Sequence, residues 1–179
     1  MRNILRAFAL VALLGCAFQL STAHAADPVN GPKSKLVFDN WEKFADIAVG
    51  GTTAKIGCDI VFRDLDRHLA SLAKQHLNSG ETLVVTMRDI DLAGAIEPWR
   101  GPDFGNIRFM RDTQPPRLTF DYQVLDASGN VAKEGSAKLT NLTFKYQSTN
   151  LDQDVTRYEK QLLTDWAADT FGAPAKKKK

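Results

Sequence analysis

The sequence contains few of the residues on which common catalytic sites and small disulfide scaffolds depend. It has two cysteines, Cys16 and Cys58, and three histidines in 179 residues. No His-Glu-x-x-His motif and no glycine series leading into a helix is present, so the zinc-protease and phosphate-loop signatures are missing. If Cys16 is lost with the leader described below, Cys58 has no partner, which excludes a disulfide framework. Nothing in the sequence indicates a cofactor.

An excess of charge of one sign is also missing. The 23 basic residues fall to 21 without Arg2 and Arg6, which equals the 21 acidic residues, and four of those 21 basic residues form the terminal run 176–179. Residues 26–175 are therefore mildly acidic, which argues against a nucleic-acid partner.

Residues 1–25 have the three parts of a secretory signal peptide. Arg2 and Arg6 precede the apolar run 7–18, and the small-x-small pattern ends at Ala25. The run is shorter than the ~20 apolar residues that span a bilayer. We therefore expect cleavage after Ala25, a periplasmic location and no transmembrane segment after processing.

A second interpretation of the leader is open. Residues 13–16 (LLGC) resemble a lipobox, which would make Cys16 the lipidated first residue of an outer-membrane lipoprotein. Residues 17–20 continue the apolar run where a lipoprotein would begin a polar tether, so cleavage after Ala25 is the favoured alternative.

The remaining chain predicts one α+β domain over residues 36–172, with a flexible lead-in at 26–35 and a disordered basic tail at 173–179. Strands are expected at 36–38, 81–87, 117–125 and 131–142, a helical turn at 40–47, and main helices from Cys58 to Leu77 and after Asp152 or Asp154. These elements favour a mainly antiparallel meander of about four strands with both helices on one face.

The densest polar segment, 88–100, follows the second strand and shows a change of register. Leu83, Val85 and Met87 stand at odd-numbered positions, whereas Ile90 and Leu92 stand at even-numbered positions. This change predicts a β-bulge that turns Asp89 and Asp91 to the same side.

Two interpretations of the acidic residues remain open. Asp89, Asp91 and Glu97, with Asp103 or Asp112, would be oxygen ligands for calcium or magnesium, or the carboxylates of a hydrolase. Alternatively they pair with neighbouring arginines and satisfy backbone amides of the loop, the arginines being Arg88, Arg100, Arg111 and Arg117. No twelve-residue calcium loop can be written here, which favours ion pairing.

Four other residues have both a functional and a structural interpretation. Trp99 beside Arg100 is either an exposed recognition residue or a plug on the core. Cys58 is either a reactive thiol or, as we expect, a small buried residue. His68 and His76 are about 12 Å apart on one helix, too far for one metal ion, and we expect His68 to pair with Asp64.

The combination of DIDLAG at 89–94, EPWR at 97–100, the segment 108–112, PPR at 115–117 and YEK at 158–160 with Trp166 resembles the proteobacterial family called "domain of unknown function 3016". The resemblance covers roughly residues 38–171. It implies an exported single domain and supplies no substrate, cofactor or catalytic residue.

The sequence therefore predicts a binding or envelope-associated domain, with a metal-dependent or carboxylate-based hydrolase as the alternative. Its partner would be a protein or small ligand of the cell envelope. Long polar loops carry function more often than cores do, and the segment 89–117 is such a loop. The candidate binding residues are Asp89, Asp91, Glu97, Trp99, Arg100, Arg111 and Arg117.

Overall fold

A computed structural model describes residues 32–50, 54–147 and 154–174. The predicted signal peptide with Cys16 and Ala25, most of the lead-in, the candidate cap Asp152 and the lysine run all lie outside the described residues. In chain order the described elements are β1 (Lys33–Phe38), α1 (Ala54–His76), β2 (Thr82–Asp91), β3 (Ala95–Ile96), β4 (Arg108–Phe109), β5 (Arg117–Leu125), β6 (Val131–Thr140) and α2 (Arg157–Phe171).

The main sheet has four strands in the order β1-β2-β5-β6, and β3 pairs with β4 in a separate two-stranded sheet. The β2–β5 and β5–β6 pairs are antiparallel. The α+β class, the four-stranded and mostly antiparallel sheet, and the two main helices are as the sequence predicts.

The pairing of β1 differs from the predicted antiparallel meander. β1 runs parallel to β2, with Leu36 opposite Val85. Parallel neighbours need a long crossover connection, and α1 supplies it. The strand also begins at Lys33 rather than Leu36, so the boundary expected between lead-in and domain falls inside β1.

The turn predicted at 40–47 is shorter than expected. A single 3₁₀ turn covers Trp41–Lys43, and Asp46 then forms a parallel bridge with Asp91 at the end of β2. The Asp46 N–H donates to the Ile90 carbonyl, and the Leu92 N–H donates to the Asp46 carbonyl. The segment after the turn thus lies beside the far end of β2 and continues the line of β1.

One hydrophobic core lies between the helices and one face of the sheet. Leu65 and Leu69 of α1, Tyr122 of β5 and Trp166 of α2 all contribute to it. The Trp166 ring meets the Tyr122 ring edge-on at a centroid distance of 5.2 Å. Both helices therefore bury their apolar stripes against the same side of the sheet.

The two histidines of α1 bind α2 rather than each other. Nε2 of His68 lies 2.9 Å from Oγ1 of Thr164, and Nδ1 of His76 lies 2.9 Å from the Gly172 carbonyl oxygen. The expected His68–Asp64 pair is wrong, because Asp64 contacts arginines of its own helix instead. The half-buried His68 ring thus contacts α2 and not Asp64.

Cys58 is buried near the start of α1. Burial in apolar surroundings raises the pKa of its thiol, and the negative charge of Asp59 raises it further. A raised pKa keeps the thiol protonated and weakly nucleophilic. The interpretation of Cys58 as a small buried residue is therefore confirmed. Among the described residues, no helix is both long enough and apolar enough to cross a membrane.

Candidate functional site

The predicted bulge is present at the end of β2. The pairing register with β5 shifts between Met87 and Asp89, which makes Arg88 the extra residue. Met87 and Ile90 are consequently both buried although they are three positions apart. Arg88 forms ion pairs with Asp39 and Asp121.

Asp89 and Asp91 each have their own partner. Oδ1 of Asp89 accepts a hydrogen bond from the Ala45 N–H at 2.8 Å. Oδ2 of Asp91 accepts from Arg117 at 2.9 Å. Burial raises the pKa of Asp91, and the hydrogen bond and positive charge of Arg117 oppose that rise. Both carboxylates thus hold the backbone in place at the end of β2.

Glu97 lies further along, in the connection between β2 and β5, and only 3% of it is exposed. Arg111 donates to its two oxygens at 2.5 and 2.9 Å, and Arg100 donates to Oε2. The hydrogen bond from Arg111, followed by that from Arg100, lowers the pKa of Glu97 to about 2. The side chain is therefore a buried, ionised carboxylate held between two guanidinium groups.

Asp91 and Glu97 are held by arginines, and Asp89 is held by a backbone amide. Asp89, Asp91 and Glu97 are held by three separate sets of partners. No cluster of three or more potential metal-ligating side chains occurs within residues 32–50, 54–147 and 154–174. Because both oxygens of Glu97 already accept charged hydrogen bonds, a cation would have to displace two arginines to bind there.

Trp99 projects into solvent from the same connection, with 76% of its surface exposed. Phe104 and Ile107 are 38% and 45% exposed. The guanidinium of Arg100 lies 4.5 Å from the centre of the Phe109 ring, which in turn contacts Phe104. We call Trp99, Arg100, Phe104 and Ile107 the Trp99 surface. Trp99 is thus an exposed residue and not a plug on the core.

Arg108 is the central anchor of this connection, and sequence reasoning missed it. Its Nη1 donates to the carbonyl oxygens of Leu92, Ala93 and Gly94 at 3.2, 3.1 and 2.6 Å. Its Nη2 donates to Asp46 Oδ1 at 2.8 Å and to the Ala48 carbonyl at 2.9 Å. The side chain is only 9% exposed. One guanidinium therefore ties the end of β2 to the segment that follows the first 3₁₀ turn.

Glu159 of α2 is the second anchor that sequence reasoning missed. It is fully buried, and its Oε1 accepts a hydrogen bond from the Ala93 N–H at 2.8 Å. Its Oε2 has no hydrogen-bond partner among the described residues. Burial raises the pKa of Glu159 to about 7, against the lowering effects of the Ala93 N–H and the charges of Arg108 and Arg157.

Glycine allows the chain to pass close to itself at two positions in this region. Gly94 has a φ of +70°, and a Cβ there would lie 2.3 Å from the Phe109 carbonyl oxygen. A Cβ at Gly50 would lie 2.3 Å from the Asn106 carbonyl oxygen. Side chains at these positions would push the β3–β4 hairpin away from the sheet end.

The sequence does contain a signal for Glu159. The position lies three and four residues before Leu162 and Leu163, so a carboxylate occupies the apolar stripe of α2. An acidic residue on such a stripe must be paired or protonated once it is buried. Arg108 has no comparable signal, because four of its five acceptors are backbone carbonyl groups.

The fold and this site define a two-layer α+β domain with an arginine-anchored loop that presents aromatic side chains. The chain belongs to the family described as "Protein of unknown function (DUF3016)", which matches residues 32–169. This finding confirms the resemblance seen in the sequence. No curated protein matches the chain.

Two kinds of solved structure show distant similarity. A single-substitution variant of the PelC dodecamer from Paraburkholderia phytofirmans has 13% identity and a TM-score of 0.36, with 80% of this chain and 88% of that chain covered. A minor lipoprotein from Acinetobacter baumannii has 15% identity and a TM-score of 0.26, with 78% and 87% covered.

Proposed function

We propose that this protein is an exported, non-catalytic binding domain of the cell envelope and that the Trp99 surface is its recognition site. The exposure of Trp99 is the observation that carries the proposal. Tryptophan and arginine are the side chains most enriched at binding hot spots, and here Arg100 follows Trp99 directly. The proposed partner is a protein or small ligand of the envelope.

The base of the loop supports this interpretation. Glu97 is buried between Arg100 and Arg111. Arg108, in the same connection, makes five hydrogen bonds to four backbone carbonyl groups and one carboxylate. Burying these charges is favourable only where the geometry holds them tightly. A loop anchored in this way presents Trp99 with little conformational freedom to lose, which favours binding.

The chemistry of the surface limits the kind of partner. Trp99, Phe104 and Ile107 offer apolar area, while Arg100 is held by Glu97 and the Phe109 ring. We expect the partner to present an apolar pocket or groove that accepts the indole. The envelope location rests on the signal-peptide pattern of residues 1–25.

The experiment places a photoreactive amino acid at position 99 in cells. We expect light-dependent adducts to one or a few envelope components, identified by mass spectrometry. The matched control carries the same photoreactive residue at Lys35, an exposed position of the edge strand β1. Adducts equally frequent at both positions, or none at position 99, would contradict the proposal.

Trp99→Ala separates recognition from folding. Because the indole is mostly exposed, we expect a change in the free energy of unfolding of no more than about 0.5 kcal/mol. The adduct partner found at position 99 should no longer co-purify with Trp99→Ala. A variant that unfolds would show that Trp99 serves the fold instead.

A further inference from the structure

β6 is a long strand with one free edge. It covers ten residues, stands last in the sheet order, and pairs only with β5 among the described strands. Within residues 32–50, 54–147 and 154–174, no strand covers the opposite edge of β6, which presents a row of backbone N–H and C=O groups. Such an edge is a template for another strand unless the side chains oppose pairing.

The side chains of β6 divide between two faces. Ala137 is paired with the buried Phe120 and Leu139 with the buried Leu118, so these residues lie on the helix side. Residues 134, 136 and 138 have the opposite parity and lie on the uncovered face. That face of the strand consequently reads Glu134, Ser136, Lys138, with an acidic and a basic residue symmetric about a serine.

We propose that β6 pairs antiparallel with β6 of a second copy of this chain, centred on Ser136. In this register each Glu134 lies opposite a Lys138 of the other copy, so the pair of strands contains two cross-strand ion pairs. The two sheets would join into one of eight strands, with all helices on the same side. The second copy is thus recognised by backbone hydrogen bonds and by complementary charge.

Two alternative registers are disfavoured by the same charges. Centring the pair on residue 134 would place two glutamates opposite each other, and centring it on residue 138 would place two lysines opposite each other. Like charges directly opposite are destabilising in a sheet. Charged side chains on an edge strand oppose unspecific pairing with other strands. In the Ser136 register the charges of two β6 strands attract each other instead.

Two further features accommodate a second strand. A groove of about 390 Å³ separates the end of β6 from α2 and is lined by Leu139, Leu162 and Trp166, so the helix leaves room beside the edge. Val131, the first residue of β6, and Leu142, two residues beyond its last, are exposed large apolar residues. The Ser136 register places Val131 of one copy opposite Asn141 of the other, next to Leu142.

Sedimentation velocity of the full chain, purified as the cell processes it, tests the association. We expect the sedimenting mass to rise with concentration from one chain to two. A mass that stays at one chain up to millimolar concentration overturns the proposal.

Charge reversal tests the register. Lys138→Glu and Glu134→Lys should each weaken association at least tenfold, and the double variant should return to within about threefold of the wild-type dissociation constant. Lys35→Glu, on the exposed face of the other edge strand, is the matched control and should have no such effect. If a dimer forms but responds equally to all three single variants, the interface lies elsewhere and the proposal is wrong.

A cysteine at the proposed centre provides a positional readout. Residues directly opposite in an antiparallel pair have Cα atoms about 4.5–5.5 Å apart, within the range a disulfide bridges. Ser136→Cys should therefore form a covalent dimer on mild oxidation, while Thr86→Cys on the central strand β2 of the same face should not. Cross-linking that is equally efficient at both positions contradicts the Ser136 register.

Discussion

Glu159 accepts a hydrogen bond from the N–H of Ala93 at 2.8 Å, although the two residues are 66 positions apart in the sequence. The bond joins α2 to the tripeptide 92–94, whose three carbonyl groups are all bound by Arg108. The helix, the end of β2 and the base of the Trp99 surface therefore share one buried polar network. Substitution of any one of these residues should therefore alter the stability of the contacts made by the others.

The first prediction concerns the pH dependence that Glu159 creates. Its pKa is raised from 4.5 to about 7 in the folded state, so folding favours the protonated carboxyl. The resulting stabilisation is fully present below pH 4.5 and is lost as the pH rises through 7. Over that window the free energy of unfolding should fall by at most about 3 kcal/mol.

Glu159→Gln tests that assignment by chemical denaturation at several pH values. Glutamine still offers an oxygen to the Ala93 N–H but does not titrate, so the slope between pH 4.5 and 7 should largely disappear. Glu42→Gln, on the exposed turn at Trp41–Lys43, is the control and should keep the wild-type slope. An unchanged slope in Glu159→Gln would mean that another group titrates.

The second prediction concerns Glu97, for which the sign is opposite. Arg111 and Arg100 hold its pKa at about 2, below the ordinary value of 4.5. The stabilisation is present above pH 4.5 and is lost as the pH falls through 2. Glu97→Gln should lower the unfolding temperature at pH 7 and make this acid-side loss of stability smaller, while other carboxylates with lowered pKa values keep part of it. The neutral-pH slope from Glu159 should stay in place. An acid-side loss as large as in the wild type would show that Glu97 does not contribute to it.

The local patterns were sufficient to predict most elements of the fold. The three- and four-residue spacing in α1 and the alternation in β2 and β5 arise from neighbouring residues, and the parity change between Met87 and Ile90 correctly indicated the bulge. The parallel pairing of β1 could not be read from Leu36-Val37-Phe38, because three apolar residues are compatible with either direction.

The site was predictable where its partners are charged side chains. Glu97 pairs with Arg100, three residues away, and the local charge pattern of 97–100 contained that pair. Arg108 binds the Ala48 carbonyl from 60 positions away. Because every residue has a backbone carbonyl group, the sequence does not indicate which of them Arg108 binds. The exposure of Trp99 depended on how the whole connection folds, so both interpretations were open until the fold was known.

The third prediction addresses Arg108. Lysine would preserve the charge but cannot reproduce a planar group that donates to five acceptors. Arg108→Lys should therefore lower the free energy of unfolding by about 2–4 kcal/mol. Arg117→Lys, which alters the more exposed ion pair with Asp91, should cost less than about 1 kcal/mol. Equal costs in urea denaturation would argue against a central role for Arg108.

The fourth prediction concerns metal ions. Because Asp89, Asp91 and Glu97 have separate partners, addition of calcium, magnesium, manganese or zinc at millimolar concentration should leave the thermal unfolding midpoint unchanged. A rise in the midpoint that Asp89→Asn and Asp91→Asn abolish, but Asp103→Asn does not, would contradict this and favour a metal-dependent activity.

The last prediction uses two glycines to separate backbone strain from steric contact. Gly94 and Gly129 have similar φ values of +70° and +83°. Alanine at either position must adopt the left-handed conformation, which costs about 1–2 kcal/mol. At Gly129 nothing lies within 4 Å of the added methyl group, whereas at Gly94 it would meet the Phe109 carbonyl oxygen at 2.3 Å. Gly94→Ala should therefore be at least about 1–2 kcal/mol more destabilising than Gly129→Ala in the same denaturation experiment.

Because the clash at Gly94→Ala displaces the β3–β4 hairpin, this variant should also reduce photo-adducts at position 99, whereas Gly129→Ala should leave them intact. Equal stability losses would mean that the hairpin yields easily and that the Trp99 surface is less firmly held than its hydrogen bonds imply.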